Sequence, residues 1–245
     1  MDNSFSLSDL LQSPFGKFIL HIYNRVNITG KENVPEGAAI LAPNHPSLLD
    51  PAMLLLATEN TFGKVIRFVA WAGMLDKPVY SDILKFANTI PLNPPGATAS
   101  EETKKKYPLS KTNRMILEEL KQGGFVGIFP EGRNHLLWDA DKLYPLQSGA
   151  LTWSALSGVP IIPVGIKNTQ QAWPLLANIE LQKLNFQAWI PFPAILPFQI
   201  EINYGKPMYV SKEELKDKKL LELKTEELAN SLRELAGLKE GYASY

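Results

Sequence analysis

The chain has 245 residues, of which 45% are hydrophobic and 20% are charged, so its apolar content suffices for one sizeable core. Its 25 basic residues balance 25 acidic ones, so no overall positive field attracts nucleic acid, and we exclude nucleic acid as a partner. Cysteine is absent, which excludes disulfides, a thiolate nucleophile and cysteine-containing zinc sites. We therefore expect no metal.

The first 28 residues are predicted to form two short amphipathic helices. Their apolar residues recur at near-helical spacing, and Ser13 followed by Pro14 is typical of a helix start. Such a stripe packs on a core or lies in a membrane interface, and both alternatives stay open. The sequence has no run of about 20 apolar residues and no basic signal peptide at Met1-Asp2. With a second apolar tract at 189–198, we expect peripheral binding to the cytoplasmic face of a membrane.

Residues 29–210 are predicted to form a single α/β domain, a mixed, mostly parallel sheet flanked by helices. A segment at 94–106 without apolar periodicity is predicted to be a mobile loop. A helical pair is predicted at 211–245, where Ser211 and Glu214 form a capping box and a last helix runs from Thr225 to Gly237. The predicted strands are 38–42, 65–70, 89–92, 125–129, 159–166 and 200–204, and the predicted helices of the domain are 51–58, 81–86, 110–122 and 147–157.

His45 and Asp50 follow the first predicted strand of this domain. In α/β sheets, sites collect at the carboxyl ends of the strands. A turn at Pro46 would bring the Asp50 carboxylate to the imidazole, where it fixes the tautomer and leaves the other nitrogen to accept a proton from an alcohol. The alternative is that both residues only cap the next helix.

A second polar cluster, Glu131-Gly132-Arg133, follows the strand at 125–129. Glycine lets the backbone approach a ligand, and a guanidinium binds phosphate with two parallel hydrogen bonds. The alternative is an ion pair between Glu131 and Arg133 in a surface turn.

Four blocks of the sequence, spread over residues 38–210, resemble the glycerophospholipid acyltransferases, the family of the glycerol-3-phosphate and lysophosphatidic acid acyltransferases. His45 and Asp50 are similar to its His-x4-Asp block, and the other three blocks lie at 89–92, 129–133 and 159–164. The resemblance implies an O-acyltransferase with His45 as general base and Asp50 as its orienting partner. It also implies a substrate site at Asn44, Ile90, Asn93, Glu131, Gly132, Arg133, Pro160, Ile161 and Pro163.

The donor implied by this resemblance is an acyl thioester, either acyl-CoA or acyl carrier protein, and no further cofactor is implied. The acceptor is a lipid or small molecule, with glycerol-3-phosphate or lysophosphatidic acid expected. Many lysophosphatidic acid acyltransferases carry a basic residue where this chain has Asn93, and a neutral amide cannot replace that contact. A phosphate-free or specialised-metabolite acceptor therefore stays open, as do thioester hydrolysis and a non-catalytic lipid-binding role.

Overall fold

The computed structural model describes residues 6–94, 99–181 and 186–244. Seven strands form the central sheet, in the order β1-β9-β6-β2-β5-β3-β4. Neighbours are parallel except β6 and β9, which are antiparallel. The strands are β1 (Asn27–Thr29), β2 (Ala39–Pro43), β3 (Ile66–Trp71), β4 (Ile90–Leu92), β5 (Phe125–Gly127), β6 (Ile161–Lys167) and β9 (Glu201–Tyr204); β7 (Leu175–Leu181) and β8 (Phe186–Pro191) form a separate antiparallel pair.

Helices cover both faces of the sheet. They are α1 (Leu7–Gln12), α2 (Pro14–Phe18), α3 (Asp50–Phe62), α4 (Pro78–Phe86), α5 (Glu101–Lys106), α6 (Leu109–Lys121), α7 (Gly149–Ser157), α8 (Thr169–Ala172), α9 (Lys212–Lys216) and α10 (Lys218–Ala236), with a π-helix at Ile19–Tyr23 and 3₁₀ turns at Lys31–Asn33 and Ala72–Asp76.

Strand β2 lies in the middle of the core and contributes to both of its halves. Ala39 and Leu41 pack in the cluster that includes α3, while Ile40 and Ala42 pack on the opposite face with residues of α6, α7 and α10. Successive side chains of a strand point to opposite faces, so a parallel strand covered on both sides is apolar throughout. This burial explains why the sequence at 38–42 is continuously apolar rather than alternating.

The predicted α/β class and mixed, mostly parallel sheet are confirmed. Every predicted strand is present, and the sheet gains β1 at one edge. Strand β1 is only three residues long and has little apolar pattern, so periodicity did not reveal it. The sequence also gave no signal for the β7 and β8 pair, which lies outside the sheet.

The prediction of a mobile loop at 94–106 is wrong for its second half, whereas its residues 95–98 lie outside the described part of the chain. Helix α5 starts at Ser100, whose hydroxyl accepts a hydrogen bond from Thr103 N. The Asp76 carboxylate in turn accepts hydrogen bonds from the hydroxyls of Ser100 and Thr103. Acidic residues in the first turn and lysines in the last match the helix dipole, so charge and capping replace apolar periodicity here.

The C-terminal segment is helical, as expected, but its last helix begins earlier than the predicted Thr225. Asp217 caps it by accepting hydrogen bonds from Lys219 N and Leu220 N, and it ends at Gly237, which has a positive φ of 65°. This helix packs directly on β6, because a Cβ at Gly165 would collide with the backbone of Leu235. The division of the chain at 28/29 and 210/211 stays a prediction.

The N-terminal helices present one apolar face to solvent. Ser13 caps α2 through Gly16 N, as predicted. Phe15 and Ile22 are 66% and 64% exposed, and Phe18 lies exposed between them. This surface, residues 15, 18 and 22, adjoins the chain at 195–198, because Tyr23 Oη donates to Ile195 O and the side chain of the buried Asn24 donates to two carbonyls there.

Candidate active site

The two polar clusters meet because the strands before them are neighbours. Strands β2 and β5 are parallel and hydrogen-bonded, so their carboxyl ends lie side by side. The loop after β5 is tied to His45 directly, since His135 N donates to His45 O at 3.2 Å. On the other side of β2, Asn44 binds β6: its Nδ2 donates to Ile166 O at 3.0 Å and its Oδ1 accepts from Ile166 N at 2.7 Å.

His45 and Asp50 are in direct contact. Asp50 Oδ2 lies 2.8 Å from His45 Nδ1 and also accepts Ser47 N–H at 2.7 Å. The turn through Pro46 places Asp50 at the first residue of α3, which brings its carboxylate back to the ring. The Asp50 side chain is fully buried, and burial raises its pKa against the opposing effects of His45, Thr169 and Ser47. The carboxylate accepts from Nδ1, so Nε2 is left as the proton acceptor.

Both faces of the His45 ring are covered. Phe129 stacks on one face, with ring centroids 3.7 Å apart and an interplanar angle of 18°. The side-chain Nδ2 of Asn134 lies 2.9 Å from Nε2 and 3.3 Å from Nδ1. An atom this close to both ring nitrogens lies over the ring rather than in its plane. The in-plane lone pair of Nε2 is therefore not occupied by Asn134, and the His45 side chain is 12% exposed.

Glu131 binds the backbone of His45. Its Oε1 accepts His45 N–H at 2.8 Å, while Oε2 accepts Tyr144 N–H at 2.7 Å and lies 2.6 Å from His135 Nε2. The residue is 3% exposed. The surface-turn pairing of Glu131 with Arg133 is thus not what this structure contains, because the carboxylate is buried and bound to other groups.

His135 and Asp139 form a second polar layer behind Glu131. Nδ1 of His135 lies 3.0 Å from Asp139 O, and Tyr144 Oη donates to Asp139 Oδ2 at 2.6 Å. Burial alone lowers the pKa of His135, but the hydrogen bond and charge of Glu131, together with Asp139, raise it overall. Burial, reinforced by Asp139, raises the pKa of Tyr144 to about 12. The Tyr144 hydroxyl therefore remains a donor.

The turn at Gly132 determines where Arg133 points. Gly132 has φ 70°, a conformation that favours glycine, and its N–H donates to Phe129 O at 3.1 Å. After this turn the Arg133 guanidinium lies 4.8 Å from the centre of the Tyr144 ring. The side chain over the His45 ring is that of Asn134. Arg133 therefore lies beside Tyr144, whose ring stacks on His135.

A family model described as Acyltransferase matches residues 25–167, more than half of the chain, and includes both polar clusters. The chain belongs to the acyltransferase family. It is 27% identical over 159 residues to the chloroplastic 1-acyl-sn-glycerol-3-phosphate acyltransferase of Arabidopsis thaliana, covering 63% of this chain and 39% of that protein. It is 24% identical over 159 residues to the enzyme of the same name from Pseudomonas aeruginosa, covering 61% and 52%.

A solved structure extends the comparison to the fold. The crystal structure of the 1-acyl-sn-glycerophosphate acyltransferase PlsC from Thermotoga maritima superposes with a TM-score of 0.55 at 21% identity, covering 89% of this chain and 74% of that one. The matched region spans roughly two-fifths to one-half of the two curated relatives named above. The family resemblance and the α/β fold are thereby confirmed.

The structure does not bring all residues implied by the resemblance close to His45. Ile90 is fully buried in the sheet, and Ile161 pairs with Ile40, near the start of β2 and far from its carboxyl end. Pro160 precedes β6 on that same side. Pro163 is closer, since it pairs with Ala42, but it too lies within the sheet.

The Asn93 side chain binds the end of α5. Its Nδ2 donates to Tyr107 O at 2.9 Å, so its amide fixes the segment that follows α5. The Asn44 side chain binds the backbone of β6. Of the residues implied by the resemblance, those close to His45 are therefore Asp50, Glu131 and the turn at Gly132.

Sequence reasoning missed two side chains close to the pair of His45 and Asp50, which is called the dyad below. Asn134 follows Arg133 directly in the sequence. Spacing alone cannot tell which of the two side chains the turn at Gly132 directs toward His45. Thr169 comes 124 residues after His45 in the sequence, and its hydroxyl opposes the burial that raises the pKa of Asp50. The available signal for Thr169 was its position just after the strand at 159–166, at the carboxyl edge of the sheet.

Among the described residues, no helix is both long enough and apolar enough to cross a membrane.

Proposed function

We propose that this acyltransferase moves a fatty acyl group from a thioester donor, acyl-CoA or acyl carrier protein, to the free hydroxyl of lysophosphatidic acid. The observation that carries the chemistry is the 2.8 Å contact between His45 Nδ1 and the buried Asp50 carboxylate, which leaves Nε2 to accept a proton. The acceptor is supported by the names of the two curated relatives and of the Thermotoga structure. Glycerol-3-phosphate is the second acceptor to test.

In the proposed reaction, His45 Nε2 removes the hydroxyl proton as the acceptor oxygen attacks the thioester carbonyl carbon. The C–O bond forms, negative charge moves to the carbonyl oxygen, and Asp50 stabilises the imidazolium. The Asn134 amide is positioned to donate to this oxyanion. When the C–S bond breaks, the imidazolium returns its proton to the departing thiolate. No serine or cysteine of the enzyme carries the acyl group.

Two cations are candidates for the acceptor phosphate. Arg133 follows the Gly132 turn, and Lys77 Nζ lies 5.9 Å from the Trp71 ring at the carboxyl end of β3. Trp71 pairs with Leu92, which directly precedes the position where many relatives carry a basic residue. Lys77 therefore lies beside the place where that charge is expected.

Acceptor assays test the proposal. Initial rates are measured with lysophosphatidic acid, glycerol-3-phosphate and a long-chain alcohol, using labelled acyl-CoA and acyl carrier protein as donors. We expect lysophosphatidic acid to be acylated fastest, and Arg133→Lys or Lys77→Met to raise its KM by roughly tenfold. Lys85→Met, a change at an exposed lysine of α4, is the matched control. Fastest turnover of the plain alcohol with unchanged KM values would reject the phosphate-bearing acceptor.

Release of free fatty acid without an acceptor separates transfer from hydrolysis. The same dyad would activate water in a thioesterase. A transferase consumes the thioester slowly until the acceptor is added, whereas a thioesterase is indifferent to the acceptor. Equal rates of thioester consumption with and without acceptor would therefore reject acyl transfer in favour of thioester hydrolysis.

A membrane surface is the proposed partner of the exposed N-terminal face. Phe15, Phe18 and Ile22 provide apolar area beside the chain at 195–198, an arrangement typical of reversible interfacial binding. In liposome flotation we expect the protein to float with vesicles, and Phe15→Ser with Ile22→Ser to abolish flotation. Leu223→Ser, at an equally exposed leucine of α10, is the control. Flotation unaffected by the double change would contradict this assignment.

A further inference from the structure

The segment 166–173 runs along the turn that carries the catalytic dyad. At one end, Asn44 exchanges two hydrogen bonds with the backbone of Ile166. At the other end, Ser47 Oγ donates to Trp173 O at 2.8 Å. Both Asn44 and Ser47 are buried. The two segments are therefore joined at both ends of 44–47. Thr169 lies between the two contact points of the second segment, and Asp50 follows Ser47 by three residues and accepts its N–H.

One buried polar atom of Asp50 and one of Thr169 lack a regular hydrogen bond. Asp50 Oδ2 is occupied by His45 and Ser47, while Oδ1 makes no regular hydrogen bond among the described residues. Oγ1 of Thr169 likewise makes none. Both side chains are fully buried, and the Thr169 hydroxyl is close enough to act on the Asp50 carboxyl. A buried oxygen and a buried hydroxyl without other partners satisfy one another when they meet.

We propose that Thr169 is a positioning residue of the acyl-transfer site, whose hydroxyl donates to Oδ1 of Asp50 and so holds Oδ2 against His45. This inference rests on the proposed function for its kinetic consequence. A carboxylate rotates about its Cβ–Cγ bond unless both oxygens are held. With Oδ1 fixed, Oδ2 stays in line with Nδ1, and the imidazole presents Nε2 to the acceptor hydroxyl. The extra donor also opposes the burial that raises the pKa of Asp50.

The test compares two substitutions that differ only in the hydroxyl. Thr169→Val keeps the shape of the side chain, and Thr169→Ser keeps the donor. We expect Thr169→Val to lower kcat roughly 10- to 100-fold, the range of hydrogen bonds to charged groups, with both substrate KM values within about twofold. Thr169→Ser should stay within about threefold of the wild type. A merely structural role would not produce rescue by serine.

The pH dependence provides the sharper readout. Loss of the hydroxyl leaves the carboxylate less stabilised, so protonation of the dyad becomes easier, and the acidic limb of the rate profile should move up by about one pH unit in Thr169→Val. Thr58→Val is the matched control. It removes a different buried hydroxyl, which lies on α3 and contacts Tyr204 rather than the dyad. The control should lower stability and leave the limb unchanged.

An activity-independent measurement separates this inference from the proposed function. The Nδ1 proton of His45, shared with Asp50, is followed by NMR and identified by its loss in His45→Gln. We expect the chemical shift of this proton at a fixed pH to change in Thr169→Val and to return to the wild-type value in Thr169→Ser. If the wild type transfers no acyl group yet this change appears, the proposed function fails and the Thr169 contact stands. An unchanged chemical shift and an unchanged kcat in folded Thr169→Val would overturn the inference.

Discussion

Two buried carboxylates flank His45, and they are treated differently by their surroundings. Glu131 has both oxygens occupied, by His45 N, Tyr144 N and His135 Nε2. Asp50 is more deeply buried, yet its regular hydrogen bonds all fall on one oxygen. The fully bonded carboxylate holds the backbone, whereas the less satisfied one acts on the ring. The two carboxylates thus differ in the part of His45 that they contact, which is the backbone for Glu131 and the ring for Asp50.

The largest effect is expected at the imidazole itself. His45→Ala removes the base while leaving the backbone contact to Glu131 in place, so transfer should fall at least about 100-fold with the fold retained. The measurement is the initial rate of acyl transfer together with a circular dichroism melt. A folded variant that keeps more than about a tenth of the wild-type rate would remove His45 from the role of base.

Asp50→Asn should separate activity from stability. Burial raises the pKa of Asp50, so its contribution to stability is present at low pH and is lost as the pH rises through the folded value. Ionisation of this carboxyl therefore destabilises the fold, and a neutral amide of equal size removes that penalty. We expect at least about 100-fold lower activity, with a Tm at pH 7.5 no lower than that of the wild type. A clearly lower Tm would place Asp50 with Glu131 as a structural group.

Glu131→Gln should show the opposite balance. Three donors meet this side chain, so an amide must turn one N–H toward another donor. We expect a loss of about 1–3 kcal/mol in the free energy of unfolding and a decrease in kcat, measured by urea denaturation and initial rates. Glu119→Gln, at the Arg67 ion pair away from the dyad, is the matched control. Unchanged stability in Glu131→Gln would show that the three contacts are not needed.

The smallest effect is expected at His135 and depends on pH. Its folded pKa is raised through Glu131 and Asp139, so its contribution is fully present below the unfolded value of about 6.5 and is lost as the pH rises through the folded value. The wild type should therefore lose stability above about pH 6.5, and His135→Gln should flatten that decline. Urea denaturation between pH 6 and pH 9 measures it. An equal decline in His135→Gln would contradict the assignment, and His21→Gln, at an exposed position, is the control.

The sequence specifies the sheet better than the surroundings of the dyad. Buried strands such as β2 and β5 are continuous apolar runs. The sequence alone therefore places His45 and Glu131 after the carboxyl ends of strands. Helix α5 escaped prediction because charge and capping hold it without an apolar stripe. Asn134 and Thr169 escaped because their positions depend on a left-handed turn at Gly132 and on the packing of distant segments, which no local pattern encodes.

Pairing of β1 with β9 also constrains how the protein is made. Thr29 and Asn203 face each other across that pair, although 174 positions separate them in the chain. At about 5–20 residues per second, the ribosome delivers the partner of β1 roughly 10–35 s after β1 itself. Until then the outer edge of β6 is also open, since β9 lies between them. We expect the nascent chain to expose an unpaired strand edge throughout this interval, which makes it a client for chaperones that cover such edges.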